Sequence, residues 1–449
     1  MSFRDLTQEK ELKAILAFSL PMFAGYVFQQ LYNVVDMAVL GKLIGTDALA
    51  ASGAAFPLLF FWTAIMQGLA TAFTIVSSHF YGKKNFMALP DLLFNSLLIS
   101  VVMGLVIIFL GLISAYPAFN LMGIKGTLLP MTMEYYEILL YGSFFMSGYF
   151  SLVAIMRGLG DSETPLYLGI VSNLLNLMMD IVFVRYLHFG IWGVALATDM
   201  AFVVVFFASI IILSRKLNNL LPAIAGQINP GIITEVFSLG LPNAMARSIK
   251  AISIFVFFIL VGRFGKEVFT SYAVASRTVS LALSPAFILS IAITAFVGQN
   301  YGAGLNGRIK RGFGRSIFLA IFLALAFSLM FISFPNFIMR IFTNDANVIA
   351  HGSNYLVIVA RFFLLFYLMQ VFFGLLKGLG NTAVPMRITW FYILAVQLPV
   401  AYFSAFRPFT FIPQNVLGLW WAEPVGWIAG FFVSLVWYLR KTKKNISLT

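Results

Sequence analysis

Apolar stretches long enough to cross a bilayer recur from one end of this chain to the other, and the linkers between them are too short to fold as a soluble domain. Hydrocarbon about 30 Å thick requires roughly 20 apolar residues in an α-helix, and the sequence supplies that length twelve times. The predicted spans are 14–39, 48–78, 91–116, 131–156, 164–187, 190–214, 233–262, 270–298, 315–339, 350–376, 385–406 and 414–439. Composition agrees: 61% of residues are hydrophobic and 10% charged, where an ordinary soluble domain carries about 25% charged residues. The expected fold is an all-α integral membrane protein.

Lys and Arg number 29 against 16 Asp and Glu, a formal net charge of +13. In a soluble chain such an excess points to nucleic acid. Here its distribution matters more. The N-terminal tail, the loops after helices 2, 4, 6, 8 and 10, and the C-terminal tail together hold 18 basic residues, the opposite loops 7. Basic loops stay cytoplasmic, so both termini are expected inside an inner (plasma) membrane, with no nucleic-acid partner. The first twenty residues, with Arg4, Asp5, Glu9, Lys10, Glu11 and Lys13, are too charged for a cleavable signal and read as a cytoplasmic tail. Cysteine is absent, which leaves no disulfide or thiol chemistry. His79, His188 and His351 stand at loop edges without metal-ligand spacing. No nucleophile, metal or cofactor spacing supports an enzyme, and no cofactor is expected.

The chain repeats itself. Ser19-Leu-Pro21 recurs as Gly240-Leu-Pro242 at an offset of 221, and His79-Phe-Tyr-Gly82 as Gln299-Asn-Tyr-Gly302 at 220. Arg157-Gly-Leu-Gly-Asp-Ser-Glu-Thr-Pro165 recurs as Lys377-Gly-Leu-Gly-Asn-Thr-Ala-Val-Pro385, again at 220. One register for three matches means a duplicated six-helix unit. Six is even, so both copies enter the membrane from the same side as parallel repeats. The expected lobes are 1–222 and 223–449, set around a central cavity. That architecture favours a carrier working by alternating access, here a monomer moving small molecules in exchange for cations. A channel or a purely structural protein is the alternative.

Ionisable groups inside a span cost about 2.5–3.5 kcal/mol each and are functional candidates by default. Helix 1 carries Gln29, Asn33 and Asp36 and helix 5 carries Asn173, Asn176 and Asp180, each set spaced by three and four on one face. Two carboxylates meeting in a low dielectric repel unless a proton is shared between them, with the amides as hydrogen-bond partners. They equally offer hard oxygen ligands to a small alkali cation. The competing reading leaves Asp36 and Asp180 solvated near helix ends. Asp199 of helix 6 is a third candidate, off the face of Ala195 and Thr198. Pro21, fifteen residues before Asp36, is either a hinge in helix 1 or a mark of its first turn.

In the second half Asp36 maps onto Phe257 and Gln29 onto Lys250, so the acid pair is not duplicated. The charges expected within the spans there are basic: Arg247, Lys250, Arg277 and Arg361. They either snorkel to the interface or line a substrate cavity that is acidic on one lobe and basic on the other, suited to anionic or zwitterionic substrates. Some of the 49 Phe and 19 Met should line such a pocket, since both adapt to varied apolar ligands.

The run Pro21-Met-Phe-Ala-Gly-Tyr-Val-Phe-Gln-Gln-Leu-Tyr-Asn-Val-Val-Asp36, the Arg157-Gly-Leu-Gly-Asp161 turn and the two six-helix repeats resemble the multidrug and toxic compound extrusion (MATE) family over essentially the whole chain. The resemblance implies export of varied organic compounds against inward flow of protons or sodium. It also implies a coupling site at Asp36, Asn176, Asp180 and Thr198, with Tyr135 as the aromatic from helix 4 and its neighbour Tyr136 as the other choice. A bent helix 1 maps onto Pro21. The acidic C-lobe cation site of one branch of the family is missing from helices 7 and 10. A related group, the flippases of lipid-linked oligosaccharides and polysaccharides, is the alternative, favoured by the basic residues of the second half.

Overall fold

The computed structural model describes residues 3–218, 226–406 and 416–443. They are nearly all helical, and no strand occurs among them. In chain order the helices are α1 (Glu11–Leu43), α2 (Thr46–Gly82), α3 (Leu89–Leu121), α4 (Leu128–Tyr141 and Ser143–Gly158), α5 (Glu163–Ile181 with a π turn at Val182–Tyr186) and α6 (Gly190–Asn218). The second half gives α7 (Pro230–Gly262), α8 (Lys266–Gly302), α9 (Asn306–Ser333), α10 (Ala346–Ala360 and Phe363–Gly378), α11 (Ala383–Trp390, a π segment Phe391–Gln397, and Leu398–Phe406) and α12 (Val416–Trp420 and Ala422–Lys443).

Ten of these are long and apolar enough to cross a membrane singly, and the two halves of α4 and of α10, bent by 48° and 51°, bring the number to twelve among the described residues. Large apolar side chains point outward along them, Leu121 at 90% exposure and Leu329 at 69%. Water would not tolerate that much contiguous apolar surface, but lipid does. The chain is a multi-pass membrane protein.

Three details differ from the sequence reading. The helices overrun the predicted spans at most ends, so that Arg157 closes the last turn of α4 rather than lying in a loop. Helix 9 was expected to run through residue 339, but Pro335 cannot donate to the preceding turn, and a separate short helix Pro335–Arg340 starts there. Helices 4 and 10, each predicted as one continuous span, are bent at Gly142 and at residues 361–362.

The duplication is visible as bonds. Thr74 Oγ1 donates to the Ala154 carbonyl at 3.0 Å, and Thr294 Oγ1 to the Gly374 carbonyl at 3.3 Å, tying α2 to α4 and α8 to α10 at the same register. The loop side chains repeat too: Asp161 Oδ1 accepts from the Thr164 N–H at 2.9 Å, and Asn381 Oδ1 from that of Val384 at 3.2 Å. An Asx residue satisfying an orphan amide at a helix start explains why either Asp or Asn serves.

The chain resolves into two compact units. One is the stretch up to Gln8 with Ala17–Ser248; the other is Glu9–Leu16 with the chain from Ile249 onward. Within the second, Arg311 Nε holds Glu11 Oε1 at 2.8 Å. The lobe boundary expected at 222/223 lies outside the described residues.

Candidate functional site

In the first unit the two amide-rich stripes meet. Asn173 Nδ2 donates to Gln29 Oε1 at 3.1 Å, and Gln29 Nε2 donates on to Asn33 Oδ1 at 3.1 Å, so α1 and α5 are laced along the faces that carry Asp36 and Asp180. Beyond that lacing the Asp36 and Asp180 carboxyls stand within hydrogen-bonding range of each other. Tyr32 donates to Asp36 Oδ1 at 3.3 Å. Asn176 Nδ2 donates to Thr198 Oγ1 at 3.2 Å, bringing α6 to the cluster, and Thr198 itself donates to the Val194 carbonyl.

The hydrogen-bond balance of this cluster is one-sided. Asp180 is 1% exposed, and neither of its carboxylate oxygens has a donor; the Asn176 side-chain oxygen is likewise buried and without one. Buried acceptors are normally satisfied, and each orphan costs about 1–3 kcal/mol, more when charged. No lysine or arginine is ion-paired with Asp36, Asp180 or Asp199 among the described residues. Nor, among them, do three acidic or histidine side chains gather closely enough to hold a metal ion.

Tyr135 lies within electrostatic reach of Asp36, Asp180 and Asp199. Its neighbour Tyr136 accepts from Trp62 Nε1 at 2.9 Å and belongs to the packing of α2 and α3 instead. Asp199 is buried against the α4 bend: a Cβ built on Gly142 would lie 1.9 Å from Asp199 Oδ1, so only glycine lets the carboxylate approach. Neither Gly142 nor the π turn two residues after Asp180 was singled out from the sequence. The turn has a recognisable meaning, since π bulges gather at functional sites, but it depends on packing and leaves no spacing signal. Pro21 sits eleven residues into α1, well past the first turn.

The basic set expected to line a cavity in the second half does not gather. Arg247 belongs to the first unit, where its Nη1 donates to Gln67 Oε1 at 3.0 Å. Arg277 and Arg361 are exposed, the latter at the α10 bend. Lys250 is half-buried, its Nζ 4.1 Å from the Phe287 ring centroid and 5.6 Å from that of Phe366. The expectation that the second half holds only basic charge within its spans is corrected by Glu423 on α12, whose Oε2 accepts from Tyr355 at 2.9 Å and Oε1 from Tyr272 at 3.5 Å. Glu423 lies nine residues into the predicted span 414–439; in the structure it falls in the first turn of the helix Ala422–Lys443, where an acidic residue is unremarkable.

The MatE family matches residues 21–182 and again 242–403, once in each repeat. "Probable multidrug resistance protein YoeA" of Bacillus subtilis is 26% identical, covering 94% of this chain and 92% of its own length. "Probable multidrug resistance protein NorM" of Thermotoga maritima is 25% identical, covering 95% and 93%. A solved structure described as MATE in complex with MaL6 superimposes with a TM-score of 0.89 at 23% identity, covering 98% of each chain, a likeness of fold.

Proposed function

Because this chain belongs to the MatE family, we propose that it exports structurally diverse organic compounds in exchange for protons or sodium ions, with Asp36, Asn176, Asp180 and Thr198 as its coupling site. One observation carries the reading: buried acceptor oxygens on Asp180 and Asn176 with no donor, facing a second carboxyl. Such a site is unfavourable when empty, because two like charges share a low dielectric. A proton held between the carboxyls, or a sodium ion held by them with the Asn176 oxygen, removes that cost. Tyr135, Gln29, Asn33, Asn173 and Asp199 orient or polarise the pair.

Occupancy is converted into motion through α1. Pro21 has no N–H to give to the Ala17 carbonyl, and α1 passes from one compact unit to the other between Leu16 and Ala17. Bending at that point, driven by charge at Asp36, links the coupling ion to alternating access. The protein acts as a monomer in the inner (plasma) membrane with both termini cytoplasmic. Both relatives are named for multidrug resistance, which favours drug export over the flippase alternative.

Efflux of a fluorescent drug from proteoliposomes, under proton and sodium gradients imposed separately, tests this. Wild type is expected to respond to one gradient, and Asp36→Asn and Asp180→Asn each to lose at least tenfold of the driven rate, about 1.4 kcal/mol. Wild-type efflux by both variants under either gradient would sink the coupling site.

A further inference from the structure

The connection between α9 and α10 surrounds a cavity that ion-coupled export does not use. Its volume is about 510 Å³, and it is lined by Asn336, Arg340, Asn344, Ala346, Ile349 and Ala350, all in the second unit. A water molecule takes up about 30 Å³ of liquid, so the space admits a group of many heavy atoms. The lining divides by chemistry. Ala346, Ile349 and Ala350 lie on the first turns of α10 at spacings of three and four residues and make one apolar strip. Asn336 and Arg340 stand four apart on the short helix Pro335–Arg340 and so share a face. Asn344 follows in the turn that leads into α10.

The cavity wall carries a cation and no anion. Arg340 has no acidic partner among the described residues. Asp345, beside Asn344, is engaged elsewhere: its Oδ1 accepts from the N–H of Asn347 at 2.9 Å and from that of Val348 at 3.2 Å, capping α10. At the repeat offset of 220, the first half has Tyr116, Asn120 and Ile124 in place of Asn336, Arg340 and Asn344. The polar lining therefore belongs to the second repeat alone.

Its place is the membrane surface. No charged residue stands between Arg315 and Arg340, an interval long enough to cross about 30 Å of hydrocarbon. The exposed apolar stripe of α9, with Phe322, Leu325 and Leu329, continues beyond the helix as Phe334, Phe337 and Ile341, which are exposed as well. The short helix thus has an apolar exposed face and an Asn–Arg face on the cavity, the pattern of a helix lying in the interface.

We propose that this cavity is a headgroup site for an anionic phospholipid. Arg340 holds the phosphate, the amides of Asn336 and Asn344 hydrogen-bond the headgroup oxygens, and the acyl chains lie along Phe337 and the α9 stripe. A guanidinium beside two amides matches a phosphodiester, and basic pockets at the membrane surface are the usual means of selecting anionic headgroups. A phosphoglycerol headgroup is satisfied there, whereas a choline headgroup brings its ammonium against Arg340 with no carboxylate in the lining to receive it. A lipid seated in the cavity bears on the half of α10 that precedes its bend. The site does not depend on the export reading.

Native mass spectrometry of the full chain in detergent tests this, with dioleoyl phosphatidylglycerol, dioleoyl phosphatidylcholine and inorganic phosphate titrated separately. Wild type should bind its first phosphatidylglycerol about tenfold more tightly than phosphatidylcholine. Arg340→Ala should lose that preference and Arg340→Lys should restore most of it. Asn344→Ala should weaken phosphatidylglycerol about threefold or more and leave phosphatidylcholine unchanged. Lys125→Ala, which removes the same charge from an exposed position outside the cavity, should change neither. Equal affinity of wild type for the two lipids, an intact preference in Arg340→Ala, or the same loss in Lys125→Ala overturns the proposal. Inorganic phosphate bound as tightly as the lipid would overturn it too, since the ligand would then be the free anion. If Arg340→Ala does not fold, Asn344→Ala decides alone, and undiminished phosphatidylglycerol binding by it is the refuting result.

Discussion

At the scale of single residues, the two halves handle a buried carboxylate in opposite ways. Glu423 is given phenolic donors, whereas Asp180 and its neighbour Asn176 are left with acceptors only. An orphaned acceptor is a standing cost of about 1–3 kcal/mol, and functional sites tolerate such costs where surrounding packing holds them in place. Asp180→Asn brings an NH2 group into a cluster of acceptors. It is expected to raise thermal stability in the absence of sodium at neutral pH, by about 1–3 kcal/mol, while abolishing exchange. A lowered melting temperature for folded Asp180→Asn would mean that the acid is satisfied in some other way. These residues were legible in the sequence because three-and-four spacing puts amides and acids on one helix face. The approach of Asp199 to Gly142 was not, since it joins α6 to α4 and leaves no periodic trace.

Helical elements show the duplication more clearly than the residues of the site do. The α2–α4 and α8–α10 crossings are built alike, each with a threonine bonded across and a glycine at closest approach. A Cβ on Gly158 would stand 2.4 Å from the Thr74 carbonyl oxygen, and one on Gly378 2.9 Å from that of Thr294. Without a hydrophobic drive between helices in lipid, small residues that let backbones approach supply much of the association. Gly158→Ala and Gly378→Ala are each expected to cost about 1–3 kcal/mol by overpacking, read as a lower midpoint when heated samples are followed by size-exclusion chromatography. Gly158→Ala should be the worse, its contact being the tighter. A neutral result at both positions would show that the crossings relax without loss. The Gly-Leu-Gly repeat announced these turns in the sequence, but the bends did not announce themselves: Gly142 is one of 35 glycines, and Arg361-Phe362 contains neither Gly nor Pro.

For the molecule as a whole, lipid makes span number legible, because every crossing must be long and apolar; what it leaves hidden is which polar residues meet. The unequal basic loops favour an orientation with the N-terminus inside, and orientation decides which bulk phase the proposed coupling site faces. Asp36 lies seven residues before the end of α1 at Leu43, about 10 Å along the axis at 1.5 Å per residue. In the proposed orientation, with the N-terminus inside, that end would be external and the acid pair nearer the phase from which an inward ion gradient is driven. The absence of cysteine makes this directly measurable, since a single introduced thiol is the only one present. Lys125, between α3 and α4, and Met87, between α2 and α3, are both exposed and fall on opposite sides. In intact cells a membrane-impermeant maleimide should label Lys125→Cys and spare Met87→Cys, which should react only after permeabilisation. The reverse pattern would turn the acid pair toward the cytoplasm, and an inward gradient would then have to reach it through the full thickness of the protein.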